Sequence, residues 1–160
     1  MSEHPIDAML ACHDRIRRFL DGARRLAAVS DPLDPQAPDA ATRCARYFRE
    51  GVPLHALDED ASLAPKLRPL VAGELNTALD RVAAEHDVIH AAIEDLLWEL
   101  DPIAAGGPVP ESLRDRVEAL AAVFEPHLKL EEEVIFPEAR RLLSPELCSA
   151  LRLERVERRR

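Results

Sequence analysis

The sequence predicts an all-α protein, an up-and-down antiparallel four-helix bundle with a short C-terminal fifth helix. Three observations predict it. Apolar residues recur at three-and-four spacing over four long stretches, the pattern of a helix with one face turned to a core. Short segments rich in proline and glycine separate these stretches and favour antiparallel neighbours. Aromatic residues make up only 4% of the chain and glycines number five, beside abundant Ala, Leu, Arg and Glu, which leaves little material for strands.

The first helix carries Ile6, Met9, Leu10, His13, Ile16, Leu20, Ala23 and Ala27 on one face and stops at Ser30-Asp31-Pro32. Asp39 is the expected N-cap of the second, which carries Cys44, Phe48, Val52, His55, Glu59 and Leu63, with Pro53 expected to kink or restart it. After Pro65, Pro69 and Gly73 the third helix aligns Leu75, Leu79, Val82, His86, Ile89, His90, Ile93, Leu96, Leu97 and Leu100. The segment DPIAAGGPVPES leads to a fourth helix with Leu113, Val117, Leu120, Phe124, His127, Glu131 and Val134. Ser144-Pro145-Glu146 opens a short fifth helix that is expected to fray toward Arg160. Trp98, Phe124 and Phe136 read as core packing or pocket lining.

One domain over residues 1–160 fits this length, with a core at about 5–143 and a short helix and Arg-rich, solvated tail over 144–160. The 21 Lys and Arg against 30 Asp and Glu, a net charge of −9, exclude a general nucleic-acid or anionic-membrane binder. No apolar run reaches the length of a membrane span. Cys12, Cys44 and Cys148 form no C-x-x-C and fit neither a disulfide framework nor a thiolate zinc site, so a reducing, cytoplasmic location is expected. Cys12 reads as small-residue packing.

Six His are few, but five share one height. His13 lies sixteen residues before Val29 and His55 sixteen after Asp39, while His86 lies fourteen before Leu100 and His127 sixteen after Glu111. At a fixed rise per residue, antiparallel helices bring these four into a single layer. An internal repeat supports the layer: HALDEDASLAP from His55 and HLKLEEEVIFP from His127 each place acids at +4 and +5, an aliphatic residue at +8 and Pro at +10. The two halves also open alike, with His13-Asp14 and His86-Asp87 each followed by Ile at +3.

A His and a carboxylate at i, i+4 share a helix face, so His55 with Glu59 and His127 with Glu131 each aim two ligands at one point. His86 and His90 have the same spacing. Polar groups on apolar stripes are costly without partners, and imidazoles and carboxylates projecting from facing helices are the ingredients of dinuclear iron or manganese sites. Two octahedral ions offer about twelve positions; five imidazoles, two bridging carboxylates and one oxo or hydroxo bridge leave one open. Without His90, two are open, which better suits peroxide or nitric oxide. Glu132, Glu133, Asp58 and Asp60 read as solvated acids, and His4 as a disordered surface residue.

At these residues the chain resembles the hemerythrin family, specifically the bacterial hemerythrin-like HHE cation-binding domain, from about His4 to Leu143. The resemblance implies a four-helix bundle with an oxo- or hydroxo-bridged non-haem di-iron centre that binds dioxygen or a related small molecule. By position it implies that His86, His90 and His127 hold one iron and His13 and His55 the other, with Glu59 and an acid after His127 as bridges. Oxygen-binding members place that second bridge at +5, here Glu132, whereas helix geometry and the internal repeat favour +4, Glu131. The chain has no N-terminal Cys-bearing segment of the kind seen in members linked to iron–sulfur repair.

The expected function is therefore binding, sensing or storage of dioxygen, nitric oxide or peroxide at a di-iron site. The alternatives are a di-iron enzyme with peroxide-disproportionating or oxidase-like turnover, an iron–sulfur repair or nitric oxide stress protein, and a structural bundle holding zinc or no metal. Manganese and zinc accept the same ligands. Whether the chain is an enzyme, and which protein it partners, the sequence leaves open.

Overall fold

A computed structural model describes residues 3–160, and every regular element among them is helical. Helix α1 is Pro5–Ala27. Helix α2 runs over 37–70 as Ala37–Arg46, Tyr47–Gly51, Val52–Leu57, Asp58–Leu63, Ala64–Leu67 and Arg68–Leu70. Helix α3 is Glu74–Ala104, and α4 covers 113–142 as Leu113–Leu130, Glu131–Ile135 and Phe136–Leu142. Helix α5 is Pro145–Glu157.

Local chemistry sets the ends. His4, expected to be disordered, instead caps α1: its Nδ1 accepts the Ile6 N–H at 3.2 Å while Asp7 accepts the His4 N–H at 3.1 Å, a reciprocal box that satisfies two orphan donors. Helix α2 begins at Ala37, ahead of the expected Asp39 cap, because Asp31 and Asp34 accept the N–H groups of Leu33 and Gln36 and wind the preceding segment into turns. Gly73 starts α3 at φ 58°, a conformation that side chains resist. Ser144 caps α5 as the sequence predicts, accepting the Leu147 N–H.

Three stretches, Tyr47–Gly51, Asp58–Leu63 and Glu131–Ile135, are single π turns inside otherwise α-helical rods. They close through Val52 N–H to Tyr47 O, Ala64 N–H to Glu59 O and Phe136 N–H to Glu131 O. The residue after each closing donor is a proline: Pro53, Pro65 or Pro137. A helical proline ring collides with the carbonyl four residues back, here that of Arg49, Ala61 or Glu133 inside the π turn, and a widened turn relieves the collision. The expected kink at Pro53 is thus one of three π turns. Gly51 leaves room there, since a Cβ would come within 2.8 Å of the Tyr47 ring.

Helices α1 to α4 pack in sequence and α4 closes back on α1. His55 and His127 at the middle of α2 and α4, and His13 and His86 just before the middle of α1 and α3, fall together, as antiparallel neighbours of similar length require. Above this layer lies an apolar core with Ile16, Leu20, Phe48, Ile93, Leu96, Leu100, Leu120 and Phe124. Below lies a second, with Ile6, Met9, Leu63, Leu67, Leu79, Val82, Ile135 and Phe136. Phe124 and Phe136 pack as expected; Trp98 does not, standing 81% exposed on the outer face of α3.

Helix α5 covers the lower core with Cys148 and Leu151, and its Arg-rich end is docked rather than solvated. Arg158 and Arg159 donate to the Asp58 carboxylate at 2.5 and 2.6 Å, Arg155 stands 3.5 Å away, and Arg158 also reaches the Ser62 hydroxyl at 2.8 Å. Asp58, expected to be a solvated acid, is buried because three guanidiniums compensate its charge. Among the described residues no helix is long and apolar enough to cross a membrane.

Candidate metal centre

His13, His55, Glu59, His86, His127 and Glu131 come from four different helices, and none is more than 6% exposed. They form two overlapping groups: His13, His55, Glu59 and Glu131 on one side, and Glu59, His86, His127 and Glu131 on the other. Within each group one ligand atom per residue lies within 4.8 Å of the rest. Both groups share the two glutamates, so each carboxylate faces two ligand sets.

The spacing has a particular character. His13 Nε2 lies 3.0 Å from Glu131 Oε2, His55 Nε2 3.2 Å from Glu59 Oε1, His86 Nε2 3.2 Å from Glu59 Oε2, and His127 Nε2 3.2 Å from Glu131 Oε1. Yet the Nε2 atoms of His13 and His55 and all four carboxylate oxygens lack a hydrogen-bond partner. Such orphaned buried atoms are costly, and their lone pairs converge instead of pairing donor with acceptor. Two ligands bound at right angles on one ion, each at roughly 2.1 Å, stand about 3 Å apart. The donor sets of both groups fit bound metal ions.

Beyond the converging atoms, the far ring nitrogens are held. His13 Nδ1 lies 2.8 Å from Glu132, itself bound by Arg17; His86 Nδ1 lies 2.7 Å from Asp60; His127 Nδ1 lies 3.0 Å from Glu85. A carboxylate on Nδ1 fixes the tautomer and leaves Nε2 free to bind. His55 differs, for its Nδ1 lacks a partner and the polar group beside its ring is the Cys12 thiol.

The charges of the clustered groups act on one another. Burial lowers His13, but Glu131 and Glu59 together outweigh it and push it up to about 10. Burial lowers His86 too, and Asp60 and Glu59 push it up to about 10. His55 and His127 are likewise buried yet raised by the carboxylates. Burial raises Glu59, and the surrounding imidazoles pull it well below the ordinary carboxylate range. For Cys12, burial raises the thiol while His55 and Arg155 bring it down to about 7.

Of the seven expected ligands, the structure brings six together and leaves His90 out. The buried seam of α3 runs Leu79, Val82, His86, Ile89, Ile93, Leu96, Leu100, alternating steps of three and four. From His86 the seam steps by three to Ile89, so His90 falls on the exposed flank. At the second carboxylate, Glu131 at +4 faces both groups, and Glu132 at +5 turns to His13. Asp60, exposed as expected, and Glu132, half-buried, also pair with imidazoles of the cluster, as does Glu85, for which the sequence carried no expectation. The shared +5 acid of the two repeats was the available signal; Glu85 had none beyond its place before His86. Glu133 is exposed as expected.

A cavity of about 10 Å³ touches the centre, walled by Glu59 and Glu131 and by Leu63, Leu79, Val82 and Phe136. That is room for a single water-sized molecule. No curated protein matches the chain. The hemerythrin HHE cation binding domain, however, matches residues 4–140, which include all six clustered side chains, and the chain belongs to that family.

Proposed function

We propose that the chain holds two iron ions between His13, His55, His86, His127 and the bridging Glu59 and Glu131, and uses them to bind or sense dioxygen, nitric oxide or peroxide in the cytoplasm. The observation that carries this reading is the sharing of two orphaned carboxylates by two pairs of imidazoles, with a one-molecule cavity against both. Bound iron would supply open coordination positions and a change of oxidation state for the small ligand. Glu132, Asp60 and Glu85 hold the imidazoles in one tautomer, and the small volume of the cavity, with Leu63, Leu79, Val82 and Phe136 in its wall, favours a ligand of a few atoms. Three buried, unpaired thiols suit a reducing compartment.

With His90 outside the cluster, four imidazoles and two carboxylates would hold the ions, and about two of twelve positions would stay open for a small ligand if an oxide or hydroxide were also bound. That count favours a second reading, peroxide turnover, beside reversible binding. Anaerobic reconstitution with ferrous iron should give two irons per chain, and oxygen should then produce oxo-bridge charge-transfer absorption. A chain that takes up no iron refutes the proposal. Sustained oxygen release from added peroxide marks an enzyme, and its absence a binder.

A further inference from the structure

The support around the ligands repeats between the halves almost as faithfully as the ligands do. Glu132, which follows Glu131, accepts from His13 of the first half; Asp60, which follows Glu59, accepts from His86 of the second. Glu85, which precedes His86, accepts from His127. The residue that precedes His13, in the place of Glu85, is Cys12, and the imidazole it should support, His55, has no partner on Nδ1. The repeat breaks at a second position as well. Asp58, three residues after His55, draws in Arg155, Arg158 and Arg159, while the matching residue after His127 is Leu130. Arg155 also stands 3.9 Å from the Cys12 sulfur.

These breaks fall on one side. On the side of His13 and His55 the cations Arg17, Arg155, Arg158 and Arg159 meet the anions Glu132, Glu125 and Asp58. Beside His86 and His127 lie the anions Asp60 and Glu85 and the cation Arg81. One position therefore faces an excess of positive charge and the other an excess of negative charge. A carboxylate on the far nitrogen strengthens an imidazole as a ligand, and losing such a partner costs about tenfold to a hundredfold in metal affinity.

We infer that the two metal positions are unequal although their ligand sets match: His86 and His127 take the first ion, and His13 and His55 take the second more weakly, because Cys12 replaces a carboxylate and helix α5 brings its arginines to that side. The inference rests on the dinuclear reading above. Helix α5 lies beyond the segment matched by the family.

Cobaltous ion, whose visible absorption reports its ligands, is the probe. Titration of the metal-free full-length chain should show two steps, the first about tenfold or more tighter than the second. His55→Ala should keep the tight step at one ion per chain, and His127→Ala should abolish it. Cys12→Asp should tighten the second step and leave the first in place, while Glu85→Gln should weaken the first; circular dichroism establishes that each variant is folded. Two ions entering with equal affinity and the same spectrum, or loss of the tight step in His55→Ala, would overturn the inference while leaving a dinuclear centre standing. A chain that binds no cobalt overturns both.

Discussion

His90 shows what a single position can and cannot reveal. On a helix, steps of three and of four both stay near one face, so His86 to Ile89 and His86 to His90 look equally inward in the sequence. Only the neighbours choose, and they chose Ile89. Four His and two Glu were legible because an internal repeat fixed their spacing twice over. Their Nδ1 partners were not, since a surface acid and a supporting acid have the same spelling until the opposite helix is placed. The separation of roles is testable. His90→Ala should retain two irons per chain with an unaltered spectrum, and Glu132→Gln should retain two irons held about tenfold to a hundredfold less tightly in competition with a chelator. Glu131→Gln should lower the iron content itself. Loss of iron on replacing His90 would contradict the exposed placement.

At the scale of elements, all five helices were legible from periodicity and the start of α5 from its Ser144 cap, while the caps of α1 and α2 and the deviations were not. Prolines announce that a helix is disturbed without saying whether it will bend, stop or widen. Widening is what occurred, and at two of the three turns it coincides with consecutive acids that meet one imidazole, Glu59 and Asp60 at His86 and Glu131 and Glu132 at His13. Docking of α5 was hidden for another reason. It depends on a buried carboxylate a hundred residues away in sequence, and an arginine run alone reads as solvated. Removing the clasp leaves Asp58 charged in an apolar setting, with Arg155 alone nearby. Replacing Arg158 and Arg159 together by Ala should therefore cost about 3 kcal/mol of stability in denaturant unfolding. Faster hydrogen exchange should appear first in 145–157, and unchanged exchange there would contradict the docking.

Across the whole molecule, a polar layer separates two apolar cores, and its protonation governs the chain without metal. His13 and His86 stand at about 10 in the folded state against an ordinary 6.5, so their contribution to stability is full below pH 6.5 and fades as pH rises through about 10. Glu59 is shifted the other way; its contribution is present above 4.5 and is lost as pH falls below that. Chelator-treated protein should thus melt at a lower temperature at pH 9.5 than at pH 6. Metal-loaded protein, whose imidazoles are already neutral ligands, should lack that alkaline decline, and a flat profile in the metal-free chain would contradict the charge arrangement. The same layer has a consequence for cooperativity. Ile16 and Phe124 belong to one block of the core and Leu79 and Phe136 to another, with the six clustered His and Glu side chains between them. Ions gripped by residues from all four helices would act as rivets through that seam, so that two blocks able to open separately become one folding unit.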